Sequence, residues 1–440
     1  MDLAILWHFH QPIYRRPASR DYVLPWVNFH MTKNYYQMAR LTEEFEFPCT
    51  FNFAPCLLEQ IEDYAQAFAR DPWQSALETN PERLNLAEIK MLQKFAAGET
   101  DKSKLQLKAL KSFFSPVDET KADKNVLLGL QKDIWKKLLP LYGRLWKESK
   151  IELTTSAYYH PLLPLIFDLR AAGEESPPSV SFRYPEDGDS QIRKGRSYFR
   201  QIFGAAPQGL WPSEGGISQP VARAIAANGF SFAVTDENVL WKSLREPCDP
   251  KKLFEPYACE NLAIFFRDRE LSDLLGFEYQ RWNEKEAVRD FSRRLEERSR
   301  LAGDSGIVVL ALDGENPWGT YPENGVPFLR EFFGTLKSFK GVAPVFFADH
   351  LVRRRRLREI DLVPGTWLGN FSKWTGNPAK NAGWKTLSRA REACGPRQEI
   401  YIAQGSDWFW WFGEENTEEF SGLFRSYIEE AYRQSGIPIP

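Results

Sequence analysis

The stretch IVVLALDGENPW, residues 307–318, decides the fold. Its first six residues, Ile307 to Leu312, are apolar without a break. A half-buried strand alternates apolar and polar side chains. An unbroken apolar run of this length fits a strand covered on both faces, as in a parallel sheet flanked by helices. The run ends abruptly in Asp313, Gly314 and Glu315. If the strand persists, Asp313 and Glu315 alternate onto one face. In a parallel α/β barrel the C-terminal strand ends build the active site, so two acids here point to chemistry. The competing reading is a solvated or calcium-loop-like turn.

Outward from this stretch, strand and helix signals alternate. Ala287 to Leu301 is an amphipathic helix; Leu262 to Phe266 and Phe230 to Thr235 are strands. Val221 to Asn228 reads as a helix closed by Gly229. Gly209 to Trp211 and Ile151 to Ser156 are further β-rich runs, and the chain opens on a strand at Leu3 to Phe9, stopped by Pro12. Such alternation predicts an α/β fold with a parallel sheet. Residues 34–150 break the rhythm. Tyr35 to Phe45, Ala54 to Arg70, Glu82 to Ala97 and Val126 to Glu148 carry apolar residues at helical spacing, so this region is expected to be a helical insertion in a barrel unit, 1–350. Residues 351–440 are expected to form a mainly helical C-terminal domain, with helices at Asn381 to Glu392 and Thr417 to Gln434. The basic run Arg353 to Arg356 reads as a solvated helix face.

Composition narrows the function. The chain has 440 residues, with 57 basic and 59 acidic, a net charge of −2. That balance lacks the basic surface of a general nucleic-acid binder. Five cysteines with no CxxC pair argue against a disulfide framework and a thiolate zinc site. The N-terminus lacks the basic start and cleavage site of a signal peptide, and no apolar run reaches about 18 residues, the length of a membrane span. The expected place is the cytoplasm, with no membrane partner. Aromatics are abundant, 15 Trp, 16 Tyr and 32 Phe. A large core absorbs most of them, but Trp also suits a stacking surface for flat ligands such as sugar rings.

Four short motifs place polar groups straight after strand candidates. In WHFHQP, residues 7–12, His8 and His10 fall on one side of the chain, where two imidazoles can bind a metal or hydrogen-bond hydroxyls. His160 follows a β run and precedes Pro161. In GLWPSEGG, residues 209–216, Glu214 sits between Trp211 and two glycines. The fourth motif is LDGENPW itself. Glu214 and Asp313 would come from separate strand ends. Such a carboxylate pair is what glycoside hydrolysis needs, and in retaining enzymes the two lie roughly 5–5.5 Å apart. A fifth segment, GSDWFWWFG, residues 405–413, puts four aromatics in five positions. Trp408 and Trp411 share a helix face, as do Asp407 and Trp411. One core face cannot use them all, so some are expected to face a ligand.

With these motifs in this order, the chain resembles glycoside hydrolase family 57, across residues 4 to about 430. The phrases DRELSDLLGF (268–277) and TWLGNFSKWTGNPAKNAGW (366–384) are similar to that family's amylopullulanase and α-amylase-like branch. The resemblance implies an incomplete (β/α)7 barrel followed by a helical domain that closes the active-site cleft. It implies a retaining enzyme acting on α-glucans or maltooligosaccharides, with Glu214 as nucleophile and Asp313 as general acid/base. His10 and His160 would hold the reacting sugar, and Trp211, Asp407 and Trp408 would line the cleft. His8, Glu315 and Trp411 complete the expected substrate-binding set. Two departures stand out. The nucleophile segment reads WPSE where many members have WLPE or WxPE. Gly215 follows Glu214 where branching-enzyme members usually carry Cys, which weakens a branching-enzyme reading.

The resemblance implies no cofactor or metal. One alternative keeps the same pair in a 4-α-glucanotransferase. Another is a metal-dependent amidohydrolase or deacetylase using His8, His10, His160 and Asp313. A third is a glucan-binding protein without catalysis. The intact Glu214 and Asp313 argue against the last.

Overall fold

The computed structural model describes residues 1–440 except 95, 97, 115–122, 174–179, 355 and 416. The expected 82–97 helix and the 353–356 basic run each include positions outside the described residues.

Among the described residues, ten strands form one sheet: β1 Asp2–Phe9, β2 Cys49–Phe53, β3 Ile151–Thr155, β4 Gly209–Leu210, β5 Phe232–Asp236, β6 Tyr257–Cys259, β7 Leu262–Arg267, β8 Ile307–Asp313, β9 Ala343–Pro344 and β10 Arg358–Glu359. The spatial order is β10-β6-β7-β5-β4-β3-β2-β1-β8, with β9 pairing β1. From β8 through β1 to β7, the seven neighbours are all parallel. Between β7 and β8 no ladder forms among the described residues. The two edges are joined by Asp268 N–H to Val309 O at 2.8 Å, the Arg267 guanidinium to Ala311 O at 3.0 Å and Ala311 N–H to Ser272 Oγ at 3.2 Å. This is the incomplete seven-stranded barrel, and the unbroken apolar run of β8 is buried at every residue from Ile307 to Leu312.

Helices return the chain between strands, and their starts follow the sequence. Pro55–Ala65 and Gln219–Ala227 place proline in the first turn, where no backbone donor is lost. Glu284–Ala302 starts on an Asn283 cap and buries Ala287, Val288, Phe291 and Leu295 at helical spacing.

Two expectations about organisation are corrected. The region 34–150 is not wholly helical: β2 lies inside it and pairs β1 and β3. CTFNF is only five residues long and opens directly onto a helix, so its signal is swamped by the helical periodicity around it. The true excursion follows the Pro55–Ala65 helix. Its core of Trp73, Leu77, Leu92, Leu110 and Leu127 packs with Phe29 of the Trp26–His30 helix. At the other end, the chain stays on the sheet past residue 350, because β10 pairs β6. A two-residue edge strand carries no readable alternation. Arg353 and Arg354 are not simply solvated: Arg353 reaches Asp2 Oδ2 at 2.6 Å, and Arg354 bonds Ser305 O and His350.

Candidate active site

Parallel strands bring their C-terminal ends to one rim. The register aligns Asp313 of β8, His8 of β1, Asn52 of β2 and Thr154 of β3 in one row across four neighbours. Glu214 follows β4, and His160 follows β3. The helix Ser406–Trp411 is pinned onto this rim. Pro161 and Gly405 form a bridge, and the Ser406 N–H bonds His160 O at 3.0 Å. Ser406 and Asp407 thereby reach the site from the far end of the chain.

Glu214 is 7% exposed and sits in the left-handed region, at φ 59° and ψ 23°. A non-glycine residue there costs on the order of 1–3 kcal/mol, which its surroundings must offset. Gly215 continues the turn at φ 61°. The Gly215 and Gly216 amides bond Pro212 O and Ser213 O, each at 2.8 Å, and the Trp367 amide bonds Glu214 O at 3.0 Å. The Glu214 carboxyl Oε1 meets the Ser406 hydroxyl at 2.9 Å. Burial, then the negative charges of Asp407 and Asp313, push its pKa up to about 8.

Three imidazoles stack beside it. The His10 and His160 rings lie 3.6 Å apart at 16°, and those of His8 and His160 lie 5.1 Å apart at 19°. His10 Nε2 meets Asp407 Oδ2 at 2.8 Å. His8 Nδ1 meets Asn52 Oδ1 at 2.7 Å, and His8 Nε2 meets His160 Nε2 at 3.2 Å. His160 Nδ1 meets Ser406 Oγ at 3.1 Å. Burial, with His10 close by, drives the His8 pKa down to about 3, and burial with the two other histidines depresses His160 strongly. Both are neutral near pH 7.

Asp313 ends β8 with its carboxylate accepting from the Asn316 amide at 2.9 Å, and burial raises its pKa. Arg267, buried on β7 and paired with Asp236 at 2.6 Å, opposes that rise. Glu315 is buried too, and its pKa is raised well above the usual range, first by burial. Its Oε1 accepts from Gln11 Nε2 at 2.7 Å, and Gln11 Oε1 takes the Tyr14 hydroxyl at 2.8 Å. Glu315 thus braces the turn after His10. Gly314 between the two acids is required: a Cβ there would lie 2.3 Å from a ring carbon of Phe9.

These groups line a cleft of about 700 Å³. His8, His10, His160, Glu214, Asp313, Glu315, Asp407 and Trp411 all face it. Trp211 and Trp408 do not, and this corrects the sequence reading. Trp211 is fully buried behind the wall, against His8 and Trp367. Trp408 is 1% exposed, its indole N–H spent on Ile402 O at 2.6 Å. Sequence spacing gives the face of a short helix but not its depth. Trp411, 37% exposed, is a cleft residue. Its neighbour Trp410 and the more distant Trp367 and Trp26 also line the cleft and were not singled out. Trp410 and Trp367 lie within motifs whose Trp content was legible. Ser406 and Asn52 were missed altogether. Ser406 precedes Asp407 directly, but Asn52 carries no local signal.

The metal set expected from sequence is not the set that converges. His10, His160 and Asp407 bring donor atoms within 4.8 Å of one another, while Asp313 is outside this trio. The trio's nitrogens are engaged by protein groups: His10 Nε2 by Asp407, and both His160 nitrogens by Ser406 and His8. An ion would have to displace these bonds. The geometry favours proton and hydroxyl chemistry at the buried Glu214 and the half-buried Asp313, which line the same cleft.

The sequence model of glycosyl hydrolase family 57 matches residues 4–354. No curated protein sequence matches. Among solved structures, the chain is similar to a family 57 branching enzyme from Thermococcus kodakaraensis, with 17% identity and a TM-score of 0.69, covering 98% of this chain and 89% of that one. It is similar to the α-amylase AmyC from Thermotoga maritima, with 16% identity and a TM-score of 0.66, covering 98% and 93%. It is also similar to the 4-α-glucanotransferase from Thermococcus litoralis, with 19% identity and a TM-score of 0.63, covering 99% and 60%. At these identities the likeness concerns the fold. No described helix is long and apolar enough to cross a membrane.

Proposed function

Because the chain belongs to glycosyl hydrolase family 57, we propose that it is a retaining α-glucan hydrolase of the α-amylase and amylopullulanase kind. Glu214 is the nucleophile and Asp313 the general acid/base. The observation that carries this reading is the convergence of Glu214 and Asp313, from separate strand ends, on one aromatic-lined cleft, with the Asp313 charge acting on Glu214.

The chemistry follows from the pair. Burial raises the pKa of both carboxyls, and at Glu214 the nearby Asp407 and Asp313 charges add to the rise. In the productive form Asp313 holds the proton and gives it to the glycosidic oxygen. Glu214, ionised, attacks the anomeric carbon and forms a glycosyl ester. Loss of the Glu214 charge then lets Asp313 work as a base on the incoming hydroxyl. Trp411, Trp410 and Trp26 offer ring faces for glucose units along the cleft, and His10, His160 and Asp407 bind hydroxyls of the reacting sugar. The helices from Pro378 onward act as the segment that closes the cleft. Five free cysteines, four of them buried, favour a reducing compartment such as the cytoplasm.

The test is a product profile. Purified protein, with chelator present, is incubated with maltoheptaose or pullulan, and anomeric NMR follows the first products. Shorter oligosaccharides released in the α configuration support the proposal. A ladder of both shorter and longer chains assigns a glucanotransferase, and new α-1,6 branches on amylose assign a branching enzyme. Activity that disappears with chelator and returns with added metal overturns the metal-free mechanism.

A further inference from the structure

The hydrogen bonds behind Glu214 run in a single file. Glu214 Oε1 meets Ser406 Oγ (2.9 Å), which meets His160 Nδ1 (3.1 Å). His160 Nε2 meets His8 Nε2 (3.2 Å), and His8 Nδ1 meets Asn52 Oδ1 (2.7 Å). Asn52 sets the direction of the file. Its amide nitrogen donates to Thr154 Oγ1 at 3.2 Å, and its Oδ1 accepts the Ser156 hydroxyl at 3.0 Å. Oδ1 therefore faces His8 and requires a proton on His8 Nδ1. His8 is neutral, so its Nε2 is an acceptor and His160 must donate from Nε2. A neutral His160 is then left with a bare Nδ1, and the proton facing it is that of the Ser406 hydroxyl.

Ser406 has one proton to give. When it points to His160, the bond to Glu214 needs a proton from Glu214, which is then a carboxylic acid. When it points to Glu214, the carboxylate is ionised and His160 carries two protons. We propose that Ser406 is the positioning residue of a proton relay that moves a proton between Glu214 and His160 and so governs when Glu214 is free to attack. This rests on the reading of Glu214 as nucleophile. The step balances. The Glu214 O–H bond breaks and its proton joins Ser406 Oγ, while the proton already on Ser406 passes to His160 Nδ1. A neutral pair becomes carboxylate and imidazolium, and the reverse step restores it.

The groups facing the relay are few. Asp313 and Asp407 face Glu214 and oppose its ionisation, and Arg267 acts on Asp313. His160 faces His8 and His10, which oppose the imidazolium. His10 faces Asp407 and Cys56. At rest the proton is therefore on Glu214, in keeping with its raised pKa.

The experiment uses the full chain and α-maltosyl fluoride, whose leaving group needs little help from Asp313. The pH dependence of kcat/KM is read from fluoride release. Ser406→Ala removes the hydroxyl that favours the carboxylate, so the acid limb moves to higher pH by about one unit. Ser406→Thr keeps the hydroxyl and returns the limb. Asn52→Asp, which puts a negative charge behind His8, moves the limb to lower pH. A Ser406→Ala enzyme slowed by one factor at every pH, with the limb in place, overturns the relay. A fluorosugar that traps the glycosyl ester separates the two ideas. An adduct on Glu214 with an unmoved limb overturns the relay alone. An adduct on another residue overturns the nucleophile reading and the relay with it.

Discussion

His10 Nε2 and Asp407 Oδ2 lie 2.8 Å apart, joining the end of the first strand to a helix 397 residues away. The contact fastens the C-terminal segment onto the barrel rim and sets a negative charge beside Glu214. Burial is the main reason the Glu214 pKa is raised, and Asp407 is the next. A nucleophile works when ionised, so activity rises with pH through that pKa. Asp407→Asn removes the charge, and the acid limb of kcat/KM is expected to move to lower pH by about one unit. A pH profile of oligosaccharide hydrolysis checks this; a limb that moves up or stays puts Asp407 outside the electrostatics of Glu214.

Asp313→Asn removes the acid but not the nucleophile. Hydrolysis of maltooligosaccharides is expected to fall by a factor on the order of 10²–10⁴, while α-maltosyl fluoride is spared most of that loss. Parallel rate measurements on the two substrates decide it. Equal losses would take the acid role away from Asp313.

The two tryptophans of one helix separate binding from stability. Trp411 lines the cleft, so Trp411→Ala is expected to weaken maltooligosaccharide binding roughly threefold to tenfold with little change in melting. Trp408 is core, so Trp408→Ala is expected to cost about 3–5 kcal/mol of stability. Calorimetric titration and denaturant unfolding of both variants give the four numbers. The reverse pattern would return Trp408 to the cleft.

Much of this site was legible because parallel strands declare their ends. The apolar run of β8 stops at Asp313, His8 lies at the end of β1, and His160 and Glu214 follow β-rich segments. What could not be read depends on register or depth. Asn52 reaches His8 because β2 pairs β1 in a row that also holds Asp313 and Thr154, and pairing across strands leaves no trace in local sequence. β2 itself was hidden among helices. Trp211 and Trp408 have the composition of a sugar platform, yet packing turns both inward. Their half-buried counterparts on the cleft, Trp367 and Trp410, lie in the same kind of aromatic-rich segment.

Gly314 gives a structural check on the acid pair. A methyl group there would meet the Phe9 ring at 2.3 Å. Gly314→Ala is expected to destabilise the fold by about 1–3 kcal/mol and to lower activity by displacing Asp313. Unfolding and turnover measured on the same preparation test it. Wild-type values for both would mean that the β8 turn is not tightly packed.

The central claim is that Glu214 attacks the anomeric carbon, and chemical rescue tests it most directly. Glu214→Gly suits the site, because glycine adopts the left-handed backbone found there without strain. This variant is expected to be inactive on α-maltosyl fluoride and to regain turnover with added azide. The azide enters from the face Glu214 leaves vacant, so the product is β-maltosyl azide. An α-configured azide, or near-normal activity without azide, would contradict Glu214 as the nucleophile.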